Sequence, residues 1–499
     1  MQYQSTRNKE LRVTSAQAIA RGISADKGLF VPTEFPQISL ADLERMSGES
    51  YTARAKFILG KYLTDFSEAE VADCVDSAYT AKKFRSADVA PLTHLHDNAY
   101  VLELWHGPTC AFKDMALQIL PHFMRYSVAK AGNGEEVVIL VATSGDTGKA
   151  ALEGFCDAPN TRILVFYPDQ GVSKMQKLQM ATQEGQNVGV FAIRGNFDDA
   201  QNGVKAIFTD SETGDLLAEN GKKFSSANSI NWGRLCPQIV YYVSAYCDLL
   251  KNGALKAGEP MNVVVPTGNF GNILAAYYAK KMGLPIKKLI CASNQNRVLT
   301  DFFETGTYDR RRQFFTTTSP SMDILISSNL ERLLFDLCDG DDAEVKAWME
   351  ALVVDGNYTV SDKVRAALDE QFASGCCDEA KTAAVIRDTF ENYNYLIDTH
   401  TAVAVGVCEE YLKETGDKTP TVIASTANPY KFPASVLTAL CGSAPADDFD
   451  CADALCEKSG VEMPDPLKTL KGKAVRFTTV CNKEEMRAEV LSTLGITEG

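Results

Sequence analysis

Val137-Val138-Ile139-Leu140-Val141 is an unbroken run of branched apolar residues. It ends in Thr143-Ser144-Gly145-Asp146-Thr147-Gly148, and helix-compatible sequence follows. Continuous runs of this kind belong to strands buried on both faces, the condition of a parallel sheet. The pattern recurs. The run 163–167 is followed by Pro168 and a helical stretch through Met180, and 188–193 is a third run. Residues 261–266 lead through Thr267-Gly268-Asn269-Phe270-Gly271-Asn272 into helical sequence over 273–282. Residues 288–292 and 421–425 read as further buried strands. Strands alternating with helices predict an α/β protein with a mostly parallel sheet.

The flanks read differently. Residues 40–46, 51–63 and 67–79 carry apolar residues three and four apart, so the first hundred residues are expected to be mostly helical. Ser67 followed by Glu70 has the spacing of a capping box. Charged helical stretches at 343–352, 362–372 and 379–392 predict a peripheral helical layer within 340–395. The last fifty residues carry no motif that points to chemistry.

Composition narrows the function. The chain has 499 residues, 45% of them hydrophobic, which excludes a disordered chain. Its 50 basic and 65 acidic residues leave a net charge of −15, which argues against nucleic-acid or anionic-membrane partners. No apolar run approaches the length of a membrane span, and Met1-Gln2-Tyr3-Gln4-Ser5-Thr6-Arg7 has no apolar stretch of a secretory signal. Fourteen scattered cysteines form no CxxC pair, and only five histidines are available as co-ligands. Reduced thiols in a cytoplasmic protein are expected, and no metal site.

Parallel sheets bind ligands at the carboxyl ends of their strands. Two strand-to-helix junctions here are rich in Gly and small polar residues, 143–148 and 268–272. Glycine lets the backbone approach a ligand, and a helix start offers unpaired N–H groups to an anion. The alternative for either junction is a tight turn with a hydroxyl N-cap. Neither fits GxGxxG or the P-loop pattern, so nucleotide binding has no support. A third feature is Lys113, flanked by apolar residues in His106-Gly107-Pro108-Thr109-Cys110-Ala111-Phe112-Lys113-Asp114. Most lysines are solvated, but a desolvated one is the residue type that forms Schiff bases. One such lysine and two anion-binding loops make a consistent inventory for pyridoxal phosphate.

With these motifs in order, the chain resembles the threonine synthases, pyridoxal-phosphate enzymes of the tryptophan-synthase-β fold group, in their longer bacterial and fungal branch. The resemblance rests on Gly28-Leu29-Phe30-Val31-Pro32, His106 to Thr109 with Ala111 to Asp114, and Thr143 to Gly148. It continues through Ser226-Ala227-Asn228-Ser229-Ile230-Asn231 with Arg234, Leu235, Gln238, Tyr241 and Tyr242, then Gly268 to Gly271, Asn294 and Asn296, and Met322-Asp323-Ile324. His400 with Ala402 to Ala404, and Thr426-Ala427 with Pro429, Lys431 and Phe432, complete it.

The resemblance implies a fold-type-II architecture, two open mostly parallel sheets flanked by helices, with a helical N-terminal region. It places an N-terminal domain at 1–100, a large cofactor-binding domain at 101–124 and 241–499, and a small domain at 125–240. It implies that Lys113 binds the cofactor aldehyde and then acts as acid and base. Gly268, Asn269, Phe270, Gly271 and Asn272 would cradle the cofactor phosphate. Thr426 would face the pyridine nitrogen. Ser144, Gly145, Asp146 and Thr147 would meet the substrate carboxylate, with Asn231 and Arg234 as further substrate ligands. The implied reaction turns O-phospho-L-homoserine and water into L-threonine and phosphate, in a monomer or homodimer.

Two positions depart from the family pattern: Asn428 stands where His is common, and Asn272 where some relatives carry Asp. Arg234 is the first candidate for the substrate phosphate, and Ser5-Thr6-Arg7 the second. His106, His400, Tyr241 and Tyr242 read as structural. The rival readings are a pyridoxal-phosphate phospholyase or dehydratase of the same fold group and, from another class, a non-catalytic relative that has lost the lysine or the phosphate loop.

Overall fold

The computed structural model describes residues 1–131, 134–143, 145–170 and 172–497. The chain opens with a small antiparallel sheet, β1 (Tyr3–Ser5), β2 (Asn8–Val13) and β3 (Phe30–Pro32), with β1 in the middle. Three helices follow, Leu40–Ser47, Tyr51–Tyr62 and Glu68–Ala78, and each starts on a serine cap: Ser39, Ser50 and Ser67. The capping box expected at Ser67 and Glu70 is present, with both reciprocal bonds made. The N-terminal region is therefore helices plus a short sheet that helical spacing alone does not reveal.

β4 (Leu92–His96) and β5 (Ala99–Glu103) then begin a large sheet as an antiparallel pair. The chain leaves it to build a second sheet from β6 (Glu136–Ala142), β7 (Thr161–Pro168), β8 (Val188–Ile193) and β9 (Lys222–Ser225), all parallel. It returns with β10 (Met261–Pro266) and β11 (Ile286–Ser293), makes an antiparallel ribbon of β12 (Thr307–Asp309) and β13 (Asn357–Thr359), and adds β14 (Phe372–Cys376) and β15 (Thr421–Ser425). The large sheet runs β14-β11-β10-β15-β5-β4, parallel except at β4. The strands read from sequence are these buried ones; every residue of β10 and β15 is inside.

Two placements differ from the expected boundaries. β14 follows directly on the helix Asp362–Gln371, within what reads as a purely helical layer. The C-terminal segment belongs to the small sheet. β16 (Val480–Cys481) pairs in parallel with β8, and Met486, Val490 and Leu491 of the last helix belong to the same buried cluster as Val138, Leu164 and Phe191 of the small sheet. A two-residue strand has no periodicity to read, so the sequence assigns 476–497 to the large domain by default.

Between the units lies the helix Trp232–Lys251, almost every residue of which is buried. Arg54 of the second N-terminal helix ties to it, donating to Ser244 Oγ at 2.6 Å and Asp248 at 2.7 Å. All fourteen cysteines are free thiols. Among the described residues no helix is long and apolar enough to cross a membrane.

The C-terminal docking is testable. Leu491→Ala should lower the unfolding free energy by about 2–5 kcal/mol, because it opens a cavity between the last helix and the small sheet. Urea denaturation with proteolysis of the 476–497 segment reads this. A loss below about 0.5 kcal/mol, the range of surface substitutions, would mean that the helix does not pack there.

Candidate active site

The carboxyl ends of four adjacent strands in the large sheet feed one cleft. The chain leaves β5 toward Lys113, β15 toward Thr426, β10 toward 268–272 and β11 toward Asn294. Lys113 stands at the start of the short helix Asp114–Leu117. The turn before it is held by Asp114, whose carboxylate accepts from Thr109 N at 2.8 Å and Thr109 Oγ1 at 2.7 Å. Gly107 has no space for a side chain, since a Cβ there would lie 2.5 Å from that carboxyl group. Burial pushes the Asp114 carboxyl up to about 6 against these bonds. The segment then zips against the end of β15: Phe112 N donates to Thr426 O at 2.8 Å and Asn428 N to Cys110 O at 3.0 Å. Thr426 is thereby fixed beside the lysine segment.

The Lys113 amine is buried, 4.8 Å over the Phe112 ring, and donates to Ser321 Oγ at 3.3 Å. Burial pulls it down to about 8; the Asp146 charge opposes, and the Arg234 and Lys431 charges add to the fall. An amine in that range is uncharged about a tenth of the time at pH 7, far more often than a solvated lysine, and the uncharged form is the one that nucleophilic attack requires.

The loop after β10 is shaped to leave its N–H groups free. Its carbonyls are taken: Ser327 Oγ donates to Gly268 O at 2.6 Å, and Asn329 donates twice to Asn269 O. Phe270 adopts φ +64°, a left-handed conformation uncommon for a non-glycine, and the helix Gly271–Lys281 starts at once. A Cβ at Gly268 would lie 2.4 Å from Ser321 O. Asn272 is buried. Its Oδ1 accepts from the hydroxyls of Tyr241 at 2.7 Å and Tyr242 at 2.5 Å, and its Nδ2 has no partner among the described residues. A buried amide donor at a helix N-terminus fits a phosphate, and the neutral Asn272 does so without the repulsion an Asp would bring. Tyr241 and Tyr242, read as packing residues, also aim this amide.

The loop after β6 faces the same cleft. Ser144 lies outside the described residues. Thr143 Oγ1 accepts from Gly145 N at 3.0 Å and Gly148 N at 2.9 Å, which folds the loop onto the helix Asp146–Phe155. Gly145 has φ +146°, and a Cβ there would strike Gln176 at 2.5 Å. Thr147 is half-buried in the first helical turn. The Asp146 carboxylate is already bound, by Lys431 Nζ at 2.7 Å and Gln176 Nε2 at 3.0 Å. Although burial works to raise it, the Lys431 and Lys113 charges hold this carboxyl well below the ordinary range. Toward an anionic ligand Asp146 has only its backbone N–H to offer.

Lys431 lacked a role in the sequence reading. Its side chain is fully buried, and its ammonium also reaches Gln179 Oε1 at 2.9 Å and Thr109 O at 3.2 Å. Arg234 is buried too. One amino group donates to Ala227 O at 2.6 Å, its Nε has no partner among the described residues, and burial pulls the guanidinium down to about 10.

The other candidates are used structurally. Asn231 donates from Nδ2 to Ile19 O and Ser226 O and accepts from Gly233 N, so its amide is spent as the cap of the helix Trp232–Lys251. Arg7 makes a two-bond pair with Glu331, at 2.8 and 2.7 Å, and Thr6 Oγ1 donates to the same carboxylate. That removes Ser5-Thr6-Arg7 as a free anion site. His106 Nε2 lies 2.7 Å from Glu103, and Asn428 caps its own turn by accepting from Tyr430 N.

Comparison with known proteins follows the same outline. The family profile "Threonine synthase N terminus" matches residues 2–79, "Pyridoxal-phosphate dependent enzyme" 87–361, and "Threonine synthase, C-terminal" 401–490. Threonine synthase of Pseudomonas aeruginosa is 38% identical over 457 residues, covering 91% of this chain and 93% of that protein. The human protein "Threonine synthase-like 1" is 42% identical over 436 residues, 85% of this chain but 58% of that protein, so the chain spans little more than half of that relative's length. The crystal structure of pyridoxal-phosphate-bound threonine synthase from Brucella melitensis superposes with a TM-score of 0.88 at 38% identity, over 99% of both chains.

Two measurements test the site as drawn. Acylation of Lys113 in cofactor-free protein should rise with pH and reach its midpoint near pH 8, because the neutral amine is the reactive form; a midpoint near that of an exposed lysine would place the amine in solvent. Lys431→Met should cost about 3–5 kcal/mol in unfolding free energy by stranding the Asp146 carboxylate, and adding Asp146→Asn should recover most of it.

Proposed function

Because this chain belongs to the threonine synthases, a family of pyridoxal-phosphate enzymes, we propose that it converts O-phospho-L-homoserine and water to L-threonine and phosphate. The observation that carries this reading is the convergence of three anion-seeking groups on one buried amine. These are the N–H loop at 268–272 with its unpaired Asn272 amide, the helix start at 145–147, and the partnerless Nε of Arg234. The cofactor and substrate together bring two phosphates and one carboxylate, so each group has an anion to hold.

In this reading Gly268, Asn269, Phe270, Gly271 and Asn272 hold the cofactor phosphate, Lys113 the aldehyde, and Thr426 faces the ring nitrogen. The fit is supported by the orphaned Asn272 donor and by the absence of room for a side chain at Gly268. When bound, the cofactor supplies an electron sink that acidifies the C–H bonds of the substrate. The chain's own residues do the rest. Lys113 takes protons from the substrate carbons and returns them. The backbone N–H groups of Asp146 and Thr147, with Ser144 in the same loop, hold the α-carboxylate, and Gly145, its N–H spent on Thr143, shapes the approach to them. Arg234 holds the phosphate that leaves from Cγ, while the oxygen of water enters at Cβ. Asn231, whose amide is spent as a cap, serves by fixing the helix that carries Arg234. A cytoplasmic enzyme, monomeric or dimeric, completes the proposal.

Purified protein loaded with pyridoxal phosphate and given O-phospho-L-homoserine should release phosphate and L-threonine in equal amounts. Phosphate with a keto acid instead would make the protein a phospholyase. Lys113→Ala should abolish turnover and the cofactor's protein-bound visible spectrum. Arg234→Ala should raise KM for the phosphorylated substrate by about 10- to 100-fold, the worth of a lost charge-assisted bond. An unchanged KM would move the substrate phosphate elsewhere.

A further inference from the structure

The Lys113 amine has a neighbour that this account leaves without a task. Ser321 Oγ accepts from Lys113 Nζ at 3.3 Å. Ser321 sits in a single 3-10 turn, Pro320–Met322, within a loop fixed from several sides. The Asp323 carboxylate binds Asn294 Nδ2 at 2.8 Å, Asn296 Nδ2 at 2.9 Å and Thr317 Oγ1 at 2.8 Å. Thr318 is held through its carbonyl by Thr399 Oγ1 and through its N–H by Glu379.

Beneath Ser321 lies a buried imidazole. Ser321 N donates to His400 Nε2 at 3.1 Å, and His400 Nδ1 lies 2.7 Å from Asp398 Oδ2. Because Nε2 accepts, the ring proton resides on Nδ1 and is given to Asp398. Asp398 is fully buried and also caps the helix Thr399–Thr415, and the ring packs on Phe432 at 5.0 Å between centroids. His400 therefore has no freedom of its own. It fixes the backbone of Ser321, and rotation about one side-chain bond brings the hydroxyl to the amine.

An amine that takes up and returns protons spends part of each cycle as an ammonium in a buried cleft, where burial opposes the charge. The charged groups facing it are Asp146 from the small sheet, Arg234 from the helix Trp232–Lys251, Lys431 from the turn after β15, and Asp114 on its own helix. Two of these four are cations, so a neutral acceptor in direct contact matters. We propose that Ser321 is a further catalytic residue of this site, its hydroxyl accepting a hydrogen bond from the Lys113 ammonium, and that His400 is the positioning residue that holds it there with Asp398. The proton moves between the substrate carbon and the Lys113 nitrogen, and the Ser321 hydroxyl keeps its own proton throughout. The proposal rests on Lys113 being the acid–base group.

The test uses Ser321→Ala, Ser321→Thr, His400→Ala and the Ser321→Ala/His400→Ala double variant. Two quantities are read: kcat and KM with O-phospho-L-homoserine in the holoenzyme, and the pH midpoint of Lys113 acylation in cofactor-free protein. Ser321→Ala should lower kcat about 10- to 100-fold with KM within about threefold, and should move the midpoint down by roughly one pH unit, because the ammonium loses its acceptor. Ser321→Thr should restore most of both. His400→Ala should shift both in the same direction, and the double variant should be no worse than Ser321→Ala, since His400 acts through Ser321. A Ser321→Ala enzyme within about twofold of the parent and with an unmoved midpoint would overturn the proposal, as would additive losses in the double variant. Acylation needs no substrate. A parent that fails to make threonine therefore counts against the proposed reaction, while the midpoint shift still decides the role of Ser321.

Discussion

The ammonium of Lys431 joins three segments that are distant in sequence: the Lys113 turn through Thr109 O, the loop after β6 through Asp146, and the helix Lys174–Ala181 through Gln179. Its side chain has no exposed surface, so it gives up its entire hydration. Such a charge is tolerable only if acceptors surround it, and three do. The large sheet contributes the lysine, the small sheet contributes Asp146 and Gln179, and the distance between the sheets at this point is set by the reach of one ammonium. Deep ion pairs of this kind are weak sources of stability but strong sources of geometry, because every alternative arrangement leaves a charge stranded.

A second brace runs from the N-terminal unit. Arg332 is fully buried and donates to Phe30 O in β3, to Ile230 O before the helix that carries Arg234, and to Asn329 Oδ1. Asn329 in turn holds Asn269 O in the phosphate loop. Glu331, its neighbour, is occupied by Thr6 and Arg7. The small antiparallel sheet at the chain start thus acts as a buttress: it immobilises the strained Phe270 backbone, whose left-handed φ persists only if the surroundings determine it. Ser5-Thr6-Arg7, which reads as a candidate anion site in sequence, turns out to be part of this buttress through Glu331.

What the sequence discloses follows from how local each signal is. β10 and the run at 137–141 are legible because both faces are buried and all positions but Asn262 of β10 are apolar. β2 is not, since only its last residue, Val13, is fully inside. β14 joins the edge of the large sheet with Phe372 as its one fully buried residue. β16, two residues long, is defined wholly by its partner β8. The same logic holds in the site. Gly268 to Asn272 announce themselves as glycines and amides at a strand end, and Lys113 as a lysine in apolar company. Ser321 lies 208 residues from the amine it touches, and Lys431 lies 252 from Gln179, so no local pattern marks either.

The charge distribution explains how an acidic chain can serve anionic ligands. The net charge of −15 resides largely on the surface, screened within about 10 Å by salt. Inside the cleft the balance reverses. Lys113, Arg234 and Lys431 converge there against two carboxylates, Asp114, which burial pushes up, and Asp146, which its cationic neighbours hold down. Asp146 pairs with Lys431, and the one positive charge left over once Asp114 is counted is shared by Lys113 and Arg234. The buried Nε of Arg234 has no partner among the described residues, and a buried donor without a partner costs stability. Among the described residues, the cleft groups without a partner, the Arg234 Nε and the Asn272 amide, are both donors. Such an inventory of donors suits anionic groups whatever the sign of the surface around it.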